Sequence, residues 1–170
     1  MVIFASYEQD AVALTKQVKE VGLKPRVIAG IATGFALPAF LTGAADAAEG
    51  FLVTMVWNPD VRYPGAQSLY TRLKAALNGA EPSQHAAQSY AAMLAAVDAV
   101  KRAGSSDPEK VRAALAQTNL KTAFGPVTFR TYGGYTNQNS VVGLITQVQN
   151  GRFVTVGPAS AARGKLILGK

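Results

Sequence analysis

The chain of 170 residues contains no cysteine and a single histidine, and these shortages exclude several kinds of site. Without cysteine there is no thiol nucleophile, no disulfide scaffold, no cysteine-ligated zinc and no iron–sulfur cluster. With His85 alone, a zinc centre built from several histidines is excluded as well. We therefore expect neither a metal nor a cofactor.

The sequence also lacks a long uncharged apolar run, which excludes a membrane-spanning helix. Hydrophobic residues make up 49% of the chain and charged residues 16%, a balance typical of a globular domain and not of a disordered segment. Acidic residues are missing from the last sixty positions, which hold seven of the 17 Lys and Arg residues. These cations stand singly, without interleaved aromatic residues, so we expect a solvated surface and no nucleic-acid binding.

Strands and helices alternate in the first part of the chain. The apolar run Val2-Ile3-Phe4-Ala5 predicts a buried strand, and apolar residues at helical spacing from Ala11 to Val21 predict an amphipathic helix. Residues 26–30 predict a second strand, so the opening is a strand–helix–strand unit, which implies a parallel sheet. A third strand is predicted at residues 51–57.

The pattern changes after residue 60, where two helices follow one another at about residues 65–77 and 84–103. Ser106 and Glu109 have the spacing of a capping box and predict the start of a shorter helix. From residue 125 onward a period of two predicts strands, and Asn150-Gly151 predicts a tight hairpin turn. The strands are expected at 127–130, 141–149 and 152–156, with residues 132–140 as a connecting stretch.

No pattern in the sequence indicates catalysis. There is no G-x-S-x-G motif, and His85 stands at a helix start, where a capping or packing role is favoured. We therefore predict no catalytic residue. A small α/β enzyme is the least favoured interpretation, because the residues for an acid–base pair are scarce.

Three segments at strand ends are better candidates for ligand binding, since open α/β sheets bind ligands there. Ser6-Tyr7 follows the first strand, and either contacts a ligand or covers the strand end. A glycine-flanked loop, Gly30 to Phe35, follows the second strand. Trp57 ends the third strand and fits a ligand-stacking, hinge-packing or core position, of which core is the commonest.

Several short motifs follow one another along the chain. They are Ser6-Tyr7 with Asp10-Ala11, Ala45-Asp46-Ala47-Ala48-Glu49-Gly50, Tyr63-Pro64-Gly65-Ala66, His85-Ala86-Ala87, Asp107-Pro108-Glu109-Lys110-Val111-Arg112, Phe124-Gly125-Pro126-Val127-Thr128-Phe129 and Gly151-Arg152-Phe153-Val154. With its motifs in this order and spacing, the sequence resembles the substrate-binding proteins of ABC importers in the leucine/isoleucine/valine-binding protein family, the type I periplasmic binding proteins.

The resemblance implies an α/β fold with two lobes that close on a small ligand. This chain resembles the carboxyl-terminal half only, so we expect a truncated chain that contains an incomplete, three-layer lobe with a parallel sheet, together with helices of the other lobe. Residues 1–57 would belong to the second lobe and residues 58–138 to the first. Residues 139–170 would form a crossing strand and a hairpin that returns to the second lobe.

The resemblance also implies residue roles. Ser6, Tyr7, Thr33, Gly34 and Phe35 would line the ligand cleft, with the Thr33 hydroxyl and the Phe35 ring as contacts. Amino-acid binders of the family commonly place an acidic residue in this second loop, and this chain has none there. Since a buried ammonium needs a counter-charge, the ligand is not an α-amino acid, or another residue supplies the charge, or the alignment slips by one. If the ligand is not an α-amino acid, we expect an aromatic or aliphatic carboxylate in its place.

Trp57 and Asn58 would lie at a hinge in this plan. The implied function is non-catalytic and extracytoplasmic: the protein would capture a small molecule in the periplasm and deliver it to an ABC permease in the membrane. The alternative is a free-standing regulatory or interaction domain derived from half of such a protein. That domain would form a homo-oligomer to cover its exposed sheet edge.

Overall fold

A computed structural model describes residues 1–168, so the last two residues of the predicted 139–170 segment lie outside the described residues. The helices are α1 (Glu8–Glu20), α2 (Pro38–Ala44), α3 (Ala66–Ala76), α4 (Gln84–Ala103) and α5 (Pro108–Ala116). The strands are β1 (Val2–Ala5), β2 (Ile28–Ile31), β3 (Leu52–Met55), β4 (Asn119–Thr122), β5 (Gly125–Tyr132), β6 (Tyr135–Asn139), β7 (Leu144–Gln149) and β8 (Arg152–Gly157). Short 3-10 helices occupy Thr33–Ala36 and Ala45–Ala48.

A five-stranded sheet with the order β1-β2-β3-β7-β8 forms the centre of the structure. Strands β1, β2 and β3 run parallel, β7 is antiparallel to β3, and β8 is antiparallel to β7. The strand–helix–strand prediction is confirmed, and the fold is the expected mixed α/β arrangement with a parallel-strand sheet. Parallel strands bring the ends of β1 and β2 to the same edge, where Ala5 pairs with Ile31.

One face of this sheet carries the core. Phe35, Phe40 and Phe51 pack together there, with the Phe35 ring centroid 5.3 Å from that of Phe40 and 6.3 Å from that of Phe51. Gly30 makes room for this cluster, because a Cβ atom at that position would lie 2.2 Å from the Phe35 ring. The core also receives helix α1 through Ala11, which is fully buried.

The second face of the sheet is largely bare. Ile3, Ile31 and Ile145 are 53%, 38% and 46% exposed, although each stands in a strand. Their apolar character agrees with strands that are hydrophobic on both faces. A segment near the carboxyl end crosses part of this face, where the Gln147 side-chain amide donates to the Ile167 carbonyl at 2.7 Å and accepts from the Ile167 N–H at 3.0 Å.

A separate three-stranded antiparallel sheet, β4-β5-β6, follows helix α5. Strands β4 and β6 were not predicted, and β6 replaces the expected connecting stretch. Its sequence, Tyr135 to Asn139, carries no apolar alternation and its side chains are mostly exposed. Backbone pairing with β5, for example between Phe129 and Asn139, forms this strand, and a period-two hydrophobic search cannot detect it.

The start of α5 also differs from the prediction. Asp107 is the N-cap, and its carboxylate accepts a hydrogen bond from the Lys110 N–H at 3.0 Å. Pro108 occupies the first helical turn and fixes where the helix begins, so Ser106 lies one residue too early to cap it. The predicted capping box is therefore wrong.

Among residues 1–168, every helix falls short of the combined length and apolarity needed to cross a membrane.

Candidate functional site

The loops after β1 and β2 lie against each other at the carboxyl edge of the parallel strands. The Gly34 N–H donates to the Ser6 carbonyl at 3.3 Å. A Cβ atom on Gly34 would lie 2.4 Å from the Tyr7 carbonyl carbon and 2.7 Å from the Glu8 nitrogen. The close packing of these two backbones therefore depends on glycine, and it brings Ser6, Tyr7 and Gly34 together.

Polar groups of this edge face solvent or lie unpaired. Tyr7 is 79% exposed and is the N-cap of α1, where its side chain forms no capping bond. Thr33 is also exposed. The Ser6 hydroxyl oxygen is shielded from solvent and has no hydrogen-bond partner among the described residues. Ala32, the residue before Thr33, has a φ of 71°, which an alanine rarely adopts.

Phe35 lies elsewhere. Its ring is fully buried under Gly30, in the aromatic cluster with Phe40 and Phe51. This placement corrects the expected role of the ring, which supports the loop from the core. Any contribution of Phe35 to a ligand site passes through its backbone.

The segment after β3 is attached to several elements. Trp57 is 1% exposed, and its Nε1–H donates to the Ala123 carbonyl at 2.9 Å. Asn58 is 5% exposed and donates from Nδ2 to the Phe153 carbonyl at 3.0 Å. Trp57 is thus a core residue that also ties this segment to the β4–β5 turn, while Asn58 ties it to β8.

Gln84 is a further member of this region that sequence reasoning missed. It is 8% exposed, and its side-chain oxygen accepts the Val56 N–H at 2.7 Å. The neighbouring His85 is exposed. The only signal for Gln84 was a polar residue at the start of an alanine-rich helix, and that signal does not reveal a buried contact 28 positions away.

A groove of about 880 Å³ lies between α2, the segment after β3, and helix α3. Trp57, Asn58 and Asp60 line it, whereas Ser6, Tyr7 and Thr33 do not. Of the predicted residues, the groove therefore contains the pair after β3, Trp57 and Asn58, and not the residues of the two loops after β1 and β2.

The groove carries both signs of charge. At one end Glu81 accepts hydrogen bonds from the Lys74 ammonium and from the Tyr70 hydroxyl, the latter at 2.7 Å. The hydrogen bond from Lys74 is the main cause that lowers the pKa of Glu81, and the same bond raises the pKa of Lys74. Hydrogen bonding to Glu81 raises the pKa of Tyr70. Within residues 1–168 no cluster of three His, Asp or Glu side chains could hold a metal ion.

Comparison with known proteins places this geometry in context. Residues 1–152 match the family model described as "Periplasmic binding protein". The chain is 26% identical, over an alignment 175 positions long, to Leu/Ile/Val-binding protein homolog 8 of Brucella melitensis, and the match covers 98% of this chain and 42% of that protein. The chain therefore spans less than half the length of this curated relative.

Two solved structures show the same fold. The isoleucine complex of a branched-chain amino acid transporter substrate-binding protein from Streptococcus pneumoniae is 18% identical, with a TM-score of 0.74 over 98% of this chain and 44% of that chain. A solute-binding protein of an ABC transporter from R. palustris, in complex with benzoate, is 16% identical, with a TM-score of 0.61 over 91% of this chain and 48% of that chain.

Proposed function

Because this chain belongs to the periplasmic binding protein family, we propose that it forms part of the solute-binding component of an ABC importer. In this proposal the whole protein works outside the cytoplasm, makes and breaks no covalent bond, and delivers a small molecule to a membrane permease. The family match over residues 1–152 is the observation that carries the proposal.

We propose the division of the chain that its sequence predicts. Residues 1–57 belong to one lobe and residues 58–138 to the other, and residues 139–170 cross back to the first. The sheet order supports this division, since β7 pairs with β3 although more than eighty residues separate them, and β8 pairs in turn with β7. Trp57 and Asn58 then lie in a crossing segment, where a hinge is needed for the lobes to close.

The ligand site is proposed at the edge formed by Ser6, Tyr7, Thr33 and Gly34, completed by the opposite lobe. Support comes from its location at the carboxyl ends of two parallel strands. It also comes from the exposed Tyr7 ring, which offers an apolar face and a hydroxyl. The ligand is an amino acid or a small aromatic or aliphatic carboxylate, and isoleucine and benzoate, with which two proteins of the same fold were crystallised, are the first probes.

The test is a ligand screen on the native protein, isolated from the source organism with its intact mass measured. We expect a mass well above 17.8 kDa and a rise in Tm with one member of a panel of isoleucine, valine, leucine, benzoate and short-chain carboxylates. A ligand at a hundred times its Kd stabilises the native state by about 2.7 kcal/mol. A panel that leaves Tm unchanged in an intact, folded protein would contradict the proposal.

The matched variants are Tyr7→Ala and Tyr135→Ala, which truncate tyrosines that are 79% and 74% exposed. Both variants should keep the Tm of the ligand-free protein, because neither ring is packed in the core. Only Tyr7→Ala should lose the ligand-induced shift. Equal affinity in the two variants would remove Tyr7 from the site.

One observation favours the alternative of a free-standing interaction domain, namely the exposure of Ile3, Ile31 and Ile145 on the second face of the sheet. If this chain functions by itself as a domain, it would cover that face by self-association. Light scattering on the 170-residue chain would then give an oligomer, and a well-folded monomer would count against this alternative.

A further inference from the structure

Asp60 lies in the crossing segment after β3, residues 56–60. The sequence pattern did not mark it as a functional residue. Its Oδ2 atom accepts the Thr155 N–H at 2.9 Å, and its Oδ1 atom accepts the Asn58 side-chain N–H at 2.7 Å and the Thr155 hydroxyl. No Lys or Arg forms a salt bridge with this carboxylate among the described residues. The carboxylate is therefore held by neutral donors, and charge-assisted bonds of this kind are about twice as strong as neutral ones.

Thr155 is the point where three parts of the chain meet. It is fully buried in β8, the edge strand of the five-stranded sheet, so within residues 1–168 its outward main-chain groups have no further strand to pair with. Its N–H donates to Asp60, while its carbonyl accepts from the Arg163 and Gly164 N–H groups at 2.8 and 3.0 Å. The crossing segment and the chain near the carboxyl end thus share one residue of the sheet.

Arg163 closes this arrangement, because its Nε–H donates to the Asp60 carbonyl at 3.1 Å. The segment that contains it, residues 161–168, is anchored farther along by buried Gln147, whose side chain exchanges two hydrogen bonds with Ile167. A Cβ atom on Gly164 would lie 2.3 Å from a side-chain carbon of Val154, so glycine lets this segment lie tight against β8. We call the set Asp60, Thr155 and Arg163 the clasp.

The hydrogen-bond partners of the crossing segment change between Trp57 and Asn58. Val56 donates a hydrogen bond to Gln84 and Trp57 donates one to Ala123, both in the part of the chain that holds α4 and β4. Asn58 instead donates hydrogen bonds to β8, to the Phe153 carbonyl and the Thr155 hydroxyl. The hydrogen bonds to the two parts therefore meet at Trp57 and Asn58, the residues proposed for the hinge.

We propose that the clasp holds residues 58–60 against the five-stranded sheet, next to the proposed hinge at Trp57 and Asn58. Asp60 is then a positioning residue that sets the angle between this sheet and the part of the chain that holds α4 and β4. Residues 161–168 act as the strap that holds the clasp in place. The inference rests on the proposed hinge, but its test needs no ligand. Failure of the ligand screen would therefore leave it standing, and its own failure would leave the proposed function untouched.

The test compares Asp60→Asn with Asp46→Asn, which makes the same change at an exposed carboxylate paired with Lys19. The chain has no cysteine, so spin labels on Lys16→Cys in α1 and Gln88→Cys in α4 report the distance between the two parts without interference. Asp60→Asn should broaden or shift that distance distribution, and should speed amide exchange at Thr155 about tenfold. Asp46→Asn should change neither.

A second pair of variants guards against a simple folding defect. Thr155→Ser keeps both donors to Asp60 and should behave like the parent, whereas Thr155→Val removes the hydroxyl at nearly constant shape and should broaden the distances. The proposal is overturned if Asp60→Asn and Thr155→Val leave the distance distribution unchanged. It is also overturned if exchange accelerates equally at all amides, because that outcome reports stability alone.

Discussion

Replacing Gly34 by alanine tests whether the two strand-end loops are held together by direct backbone contact. The added Cβ would lie 2.4 Å from the Tyr7 carbonyl carbon, 2.5 Å from its oxygen and 2.7 Å from the Glu8 nitrogen. These are backbone atoms at the start of α1, so they cannot move aside as a flexible side chain could. The loops must separate by about 1 Å to restore ordinary contact distances, and overpacking of this kind costs about 1–3 kcal/mol.

Because Gly34 does not need a left-handed backbone, the cost is steric and we expect the free energy of unfolding to fall by about 2–3 kcal/mol. Gly143→Ala is the control, since none of residues 1–168 lies within 4 Å of a Cβ there and the position requires no unusual φ. The control should be neutral or stabilising by up to about 1 kcal/mol. Urea unfolding followed by Trp57 fluorescence measures both, and a Gly34→Ala variant within about 0.5 kcal/mol of the control would refute the argument.

Three further predictions concern other contacts. Asp107→Ala should lower the free energy of unfolding by about 1 kcal/mol because it removes the cap of α5, whereas Ser106→Ala should change it by less than about 0.5 kcal/mol; urea midpoints at constant m decide this. Trp57→Phe should cost about 2 kcal/mol, since it shrinks a buried side chain and removes the donor to the half-buried Ala123 carbonyl, and calorimetric Tm values check it. Lys74 lowers the pKa of Glu81, so the stabilising contact between them is fully present above the ordinary Glu pKa of 4.5 and is lost as the pH falls through the lowered pKa. The effect on stability is small because both side chains are exposed, and Glu81→Gln should abolish this part of the acid dependence of Tm.

The periodic elements were predictable from local sequence. Helix α4 begins and ends at the predicted residues, because apolar and alanine positions repeat at helical spacing and Gly104 follows with the left-handed backbone of a helix stop. Strands β1, β2 and β3 were predictable from short apolar runs. Strand β6 was not, since its polar residues are held by pairing with β5 and not by burial.

For the proposed site, only the meeting of its two loops was predictable from the sequence. Chain order places Ser6-Tyr7 and Thr33-Gly34 after two parallel strands, which brings the two loops to one edge of the sheet. The direction of each side chain did not follow, because Phe35 turns under Gly30 into the core while Tyr7 faces solvent. A local pattern carries no information on which neighbour fills the space over a glycine.

The sequence by itself determined the α/β alternation, the absence of cysteine chemistry and the resemblance to one family, since all three depend on residue identity and spacing along the chain. Only the tertiary structure decided the roles of Trp57, Gln84 and Asp60. Their partners lie 66, 28 and 95 positions away, and a polar side chain acquires its role from the donor or acceptor that folding brings within about 3 Å of it.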